Sequence, residues 1–233
     1  MSSSKAHNVL IVGASRGLGL EFVRQYRADG ARVTATARRD DGLAAIEALG
    51  AKPLKLDVSD AASASGLAWM IDGETFDTVF YVAGVYGPRT AGLEPPTEAD
   101  FDAVMHANVL GAMRVLPSVA DALAPPAAGR AVARIGVVSS RMGSIGLRTG
   151  TAGWTYRASK AAVNSVLKDA SIALAGRALC AAFHPGWVRT DMGGADADID
   201  ATESIAGMRR SLAELSAEQT GTFLNYDGTP LAW

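Results

Sequence analysis

The chain has 233 residues, 48% of them hydrophobic, a net charge of −2 and one cysteine. Those figures fit one α/β domain, residues 1–233, with a sizeable core, and the absence of any strongly basic block leaves no electrostatic reason to expect a nucleic-acid partner. The single cysteine, Cys180 in the apolar run A-L-C-A-A-F, cannot close an internal disulfide; it reads as a buried, inert thiol and points to the cytoplasm.

The N-terminal M-S-S-S-K-A-H-N is polar and lacks the apolar core of a signal peptide. No stretch reaches the ~18 apolar residues of a membrane helix, so no membrane association is expected. Asn8 to Val12 is a short apolar run ended by Gly13, as in a buried parallel strand. Leu18, Phe22, Val23 and Tyr26 then recur at helical spacing. Ala31 to Ala37 reads as a second strand and Asp41 to Leu49 as a helix closed by Gly50. Pro53 to Leu56 is a third strand, followed by Ser59 or Asp60 as a helix cap. Thr78 to Val82 is a fourth strand.

The connection Val85 to Thr97 carries Pro88, Pro95 and Pro96 and is too proline-rich for a helix. A long helix is expected from Glu98 to Ala124, with a bend at Pro117. Ala131 to Ser139 is a fifth strand. Val163, Val166, Leu167, Ala170 and Leu174 form one helical stripe. Leu179 to Phe183, Thr202 to Leu215 and Thr222 to Leu224 complete the series as strand, helix and strand. This alternation implies a doubly wound parallel sheet with helices on both faces. Ligands of such sheets bind at the carboxyl ends of the strands. Gly13, Gly84, Ser140 and Pro185 all follow strand ends and should converge on one crevice.

Two patterns carry chemistry. Gly13, Gly17 and Gly19 follow the first strand and open the first helix as G-x-x-x-G-x-G, a turn suited to a bound pyrophosphate. Tyr156 and Lys160 lie just over one helical turn apart in Y-R-A-S-K, on the same helix face. A phenol titrates near 10, and a neighbouring ammonium is expected to lower that value, which suits proton transfer to or from an oxygen.

Together these motifs resemble the short-chain dehydrogenase/reductase family, and the resemblance runs from Val9 to Trp233. It implies a Rossmann-type NAD(P)-binding fold. In the glycine loop it implies that Ser15, Arg16 and Leu18 contact the cofactor beside the three glycines. It places Asp57-Val58 at the adenine ring, Ala83-Gly84 along the cofactor, and Pro185, Gly186, Val188 and Thr190 at the nicotinamide end. It makes Asn108, Ser140, Tyr156 and Lys160 the catalytic group. Asn108 would hold a proton-relay water, Ser140 would bond the substrate oxygen, and Lys160 would lower the tyrosine pKa and bond the nicotinamide ribose. The Ser140 to Tyr156 spacing is slightly longer than the family's commonest, which makes Ser144 a rival for the serine role. The ending G-T-F-L-N-Y-D-G-T-P-L-A-W and Arg141 to Ile145 resemble the C-factor-like and sniffer-type carbonyl reductase branch.

One departure stands out. Where the family shows N-N-A-G, this chain has Tyr81-Val82-Ala83-Gly84, so the bracing hydrogen bonds of two asparagines are missing. The cofactor reading comes from the second strand. No carboxylate follows at Ala37 to accept from a ribose 2′-hydroxyl. Arg38 and Arg39 follow instead, with Arg16 in the glycine loop, and guanidinium forks suit a 2′-phosphate. NADP(H) is therefore expected, on Arg16 and Arg38, with Arg39 in reserve and no metal.

The expected reaction interconverts a ketone or aldehyde and an alcohol. Trp154, Trp187, Met142, Met192 and Tyr86 suggest an apolar or aromatic substrate, and Gly193 to Ser204 suggests a flexible lid. A C-factor-like nucleotide-binding signalling protein with little turnover is the alternative. An extended epimerase or dehydratase is disfavoured by the short stretch after Thr190. The family resemblance also implies a homodimer or homotetramer, through the long helix and the Tyr156 helix.

Overall fold

The structure is a computed structural model that describes residues 6–126 and 132–233. Seven strands form one parallel sheet in the order β3-β2-β1-β4-β5-β6-β7. The strands are β1 (Asn8–Val12), β2 (Arg32–Ala37), β3 (Lys52–Lys55), β4 (Thr78–Tyr81), β5 (Ala133–Val138), β6 (Ala178–His184) and β7 (Thr222–Asn225). Strand order reverses between β1 and β4, so a crevice opens there at the carboxyl ends of the strands.

Alternation along β1 divides the core. Leu10 and Val12 point to one face, and Val9 and Ile11 to the other. The first face is covered by α4 (Leu67–Met70), α6 (Gly111–Asp121) and α7 (Trp154–Ala173) through Leu67, Val115, Val119, Val163 and Leu167. The second is covered by α1 (Gly17–Ala28), α2 (Asp40–Ala48) and α8 (Ala201–Glu214) through Phe22, Val23, Ile46, Ile205 and Met208. Cys180 is buried, and burial pushes its thiol up to about 12, so it is an inert core residue. No helix among the described residues is long and apolar enough to cross a membrane.

Caps fix several helix starts. Asp60 accepts from the Ser63 N–H at 2.6 Å ahead of α3 (Ala61–Ser65), so Asp60 rather than Ser59 is the cap. Thr97 and Asp200 accept from Asp100 and Glu203 ahead of α5 (Glu98–Met105) and α8.

The helix expected over Glu98 to Ala124 runs without a gap from Glu98 to Asp121, but it is not α-helical throughout. A π-helical turn, His106–Leu110, separates α5 from α6, with Asn108 at its centre, whereas Pro117 lies inside α6. The end also differs. Phe76 donates to the Ala122 carbonyl and accepts from the Ala124 N–H, at 2.8 and 2.9 Å, so residues 122–124 join a β-bridge instead of a last turn. Ala131, the expected start of the fifth strand, lies outside the described residues.

Tyr81 makes good part of the missing asparagine pair. Its side chain is buried, and its hydroxyl donates to the Ala107 carbonyl at 3.1 Å. It therefore ties the end of β4 to the π turn. Burial pushes its phenol well above the usual value, which keeps the donor protonated.

Candidate active site

The end of β1 leads into a trough of about 230 Å³ lined by Gly13, Ser15, Arg16, Gly17, Leu18 and Gly19. Arg38 from the end of β2, Asp57-Val58 beyond β3 and Ala83-Gly84 beyond β4 complete its walls. Gly17 needs to be glycine: its φ is +53°, in the left-handed region. Gly13 packs so closely that a Cβ there would sit 2.6 Å from the Ala83 nitrogen. Arg16, the cap residue of α1, offers no side-chain bond to the helix start, and Gly17, Leu18 and Gly19 of the first turn line the trough. These features fit the pyrophosphate of a dinucleotide.

The arginines around the trough differ in engagement. Arg16 pairs with Asp191, and Arg39 is clamped to Asp41 at 3.1 and 2.9 Å and does not line the trough. Arg38 lies 3.9 Å from Asp57, a looser pair. Burial works against the Asp57 carboxylate, but the Ser59 hydroxyl and N–H, with help from Arg38, hold it below the usual carboxylate range.

A second cavity of about 450 Å³ joins the first, sharing Leu18, Thr190 and Met192. Ser140 and Tyr156 line it, with Pro185, Gly186 and Val188 from the segment after β6. Ser140 ends the β5 segment and accepts from the Met142 N–H at 3.1 Å, which starts the turn Arg141–Gly143. Tyr156 sits in the first turn of α7, stacked on Tyr86 with ring centroids 4.5 Å apart. Ser144, the rival serine, is fully buried and donates to the Ala232 carbonyl at 2.7 Å. It ties the carboxyl-terminal residues down and faces neither cavity.

Asn108 and Lys160 line neither cavity; both are buried and converge on Gly84. A Cβ at Gly84 would lie 3.0 Å from Asn108 Oδ1 and 3.4 Å from Lys160 Nζ. Asn108 is held on both sides: Oδ1 accepts from the Val85 N–H at 2.7 Å, and Nδ2 donates to the Val85 carbonyl at 2.8 Å and to Ser159 Oγ at 2.9 Å. Lys160 Nζ donates to the Val138 carbonyl at 3.0 Å.

One expectation about the pair does not hold in this structure. Tyr156 is raised to about 12, because burial outweighs the lowering contact of Ser140 and Tyr86 adds to the rise. Lys160 does not lower it: Nζ lies 5.7 Å from the ring centroid and points to Val138. Burial instead lowers Lys160 itself to about 8. Spacing put the two side chains on one helix face, but desolvation decides their ionisation.

Of the apolar pocket residues expected, Tyr86, Met142, Trp187 and Met192 line the cavity and Trp154 does not. The expected lid is tied down. Trp187 Nε1 donates to the Gly193 carbonyl at 2.8 Å, Val188 bridges Ile199, and residues 201–204 belong to α8. Sequence reasoning missed His184, Arg89 and Arg157 as cavity residues, and took Arg141 only as a branch mark. His184 directly precedes Pro185 at a strand end, a position that should have drawn notice. Burial, with Arg141 nearby, lowers it to about 4.

A family model for short chain dehydrogenase matches residues 7–200. The chain belongs to the short-chain dehydrogenase family. This dehydrogenase is 37% identical to the C-signal of Myxococcus xanthus, over 67% of this chain and 92% of that protein. It also resembles the carbonyl reductase Sniffer of D. melanogaster, at 29% identity and a TM-score of 0.88, over 98% of this chain and 100% of that one. An NADPH-bound carbonyl reductase from chicken fatty liver aligns with a TM-score of 0.87 and 28% identity, over 98% and 95%. The fold and family expected from the motifs are thus borne out.

Proposed function

We propose that this dehydrogenase is an NADP(H)-dependent reductase of ketones or aldehydes, with Ser140, Tyr156, Lys160 and Asn108 as its proton-handling group. The observation that carries the reading is the junction of the glycine-lined trough with a cavity walled by Ser140 and Tyr156. Similarity to an NADPH-bound carbonyl reductase supports it. Arg16 and Arg38 would hold the 2′-phosphate, the first turn of α1 the pyrophosphate, Asp57 and Val58 the adenine, and Val188 and Thr190 the nicotinamide end. Bound there, NADPH would supply a hydride to the carbonyl carbon.

The chain's own part is to polarise and protonate the oxygen. Ser140 Oγ donates a hydrogen bond where negative charge develops. Tyr156 Oη gives its proton to that oxygen, yielding the alcohol. A phenol held near 12 is fully protonated at neutral pH, which is the state that reduction requires. Lys160 and Asn108, which converge behind Gly84, would return a proton to Tyr156. Tyr86, Met142, Trp187 and Met192 favour an apolar or aromatic substrate.

We read residues 1–233 as one domain acting in the cytoplasm as a homodimer or homotetramer. Exposed Met113 on α6 and Ile172 on α7 favour pairing through those helices. Similarity to C-signal supports a second reading, a nucleotide-binding signalling protein with little turnover.

The test is NADPH consumption against ketones, aldehydes and quinones, with Tyr156→Phe alongside. Loss of the acid should cost about 10²- to 10⁴-fold in kcat, with NADPH affinity nearly unchanged. Retention of most activity by the variant would remove Tyr156 from the mechanism. Tight nucleotide binding without turnover would favour the signalling reading.

A further inference from the structure

Three arginines line the cavity that holds Tyr156, namely Arg89, Arg141 and Arg157, and no aspartate or glutamate does. Two of them adjoin the proposed reactive residues in sequence, since Arg141 follows Ser140 and Arg157 follows Tyr156. The contrast with the nucleotide trough is informative. There Arg16 and Arg38 each have a carboxylate partner, in Asp191 and Asp57. Among the described residues, none of the cavity arginines has one.

These side chains are nevertheless positioned. Arg89 donates to the Met192 carbonyl at 3.0 Å and lies 5.0 Å from the centroid of the Tyr86 ring, which itself stacks on Tyr156. Arg157 donates through Nε to the Ala152 carbonyl at 2.9 Å, which leaves its terminal nitrogens for another acceptor. Arg141 makes no side-chain hydrogen bond among the described residues, and its charge is felt at His184 on the cavity wall. Guanidinium groups that lack a carboxylate partner are open to pairing with a bound anion. Guanidinium forks match the two oxygens of a carboxylate or phosphate. Met142, Leu147 and Trp187 give the same wall an apolar part.

We propose that the substrate carries an oxyanion: an apolar or aromatic body with the carbonyl at Ser140 and Tyr156 and a carboxylate or phosphate on Arg141 and Arg157, with Arg89 adding to the field. This rests on the reductase reading for which end of the substrate reacts. The anion site itself is a matter of binding and is tested separately.

The experiment is calorimetric titration of the NADP⁺-loaded protein with 4-(hydroxymethyl)benzoate, its methyl ester and 4-(hydroxymethyl)phenyl phosphate. The acid or the phosphate should bind at least about tenfold more tightly than the ester, as charge-assisted bonds to guanidinium warrant. Whichever of the two binds more tightly identifies the oxyanion. In the Arg141→Ala/Arg157→Ala double variant the advantage over the ester should fall below about threefold, and the corresponding double lysine variant should keep part of it. An ester bound as tightly as both anions, an advantage that survives the alanine pair, or no anion binding at millimolar concentration would each overturn the proposal. Turnover of 4-formylbenzoate with NADPH is followed in parallel. Anion preference without Tyr156-dependent turnover would sink the reductase reading and leave the anion site standing.

Discussion

Lys160→Met should make the nucleotide-free protein more stable at neutral pH while removing its activity. Lys160 is 5% exposed, and burial lowers the pKa of its amine from 10.5 to about 8. At about 1.4 kcal/mol per unit, holding that ammonium in the fold at pH 7 costs on the order of 3 kcal/mol. Methionine fills a similar volume without the charge, but it forfeits the bond to the Val138 carbonyl, worth about 1 kcal/mol. The net gain is about 2 kcal/mol, a rise in Tm of roughly 4–8 °C for a chain of this size.

The pH dependence has a definite sign. Below pH 8 both folded and unfolded chains hold the proton, and the full cost stands. Between about 8 and 10.5 the folded amine has lost its proton while the unfolded one keeps it, so raising the pH stabilises the native protein in that window. Wild type should therefore catch up with the variant as pH approaches 10.5 and end slightly ahead. Thermal unfolding followed by circular dichroism from pH 7 to 10.5 measures the difference. A variant less stable than wild type at pH 7, or a difference that stays constant with pH, would refute the claim that Lys160 is a buried, desolvated cation.

Two further substitutions test the site's supports. Tyr81→Phe leaves the Ala107 carbonyl without its 3.1 Å donor; a loss of about 1–3 kcal/mol should lower Tm by roughly 2–12 °C and, because Asn108 is the next residue, reduce kcat severalfold. An unchanged Tm would show that Tyr81 does not brace the π turn. Arg38→Ala should raise the KM for NADPH about tenfold and that for NADH far less, and equal effects on both would remove Arg38 from 2′-phosphate recognition.

Much of this protein was legible in the order of its residues. The central strands were marked by short apolar runs, and β1 was found to the residue, because a strand buried on both faces is largely apolar, whereas the edge strand β3, K-P-L-K, carries a weaker signal. The glycine loop, the Tyr156–Lys160 spacing and Pro185 to Thr190 marked the crevice, because backbone conformation and helical periodicity are local properties. Tertiary structure decided what depends on neighbours distant in sequence. The π turn at Asn108 depends on Tyr81 and Val85, which lie across the crevice from it. That Ser140 and not Ser144 lines the cavity depends on a carboxyl-terminal segment nearly 90 residues further on, which claims Ser144. The ionisation of Tyr156 and Lys160 depends on how completely the fold removes them from water, which no spacing encodes. The gathering of Arg89, Arg141 and Arg157 around one cavity likewise exists only once three separate segments have folded together.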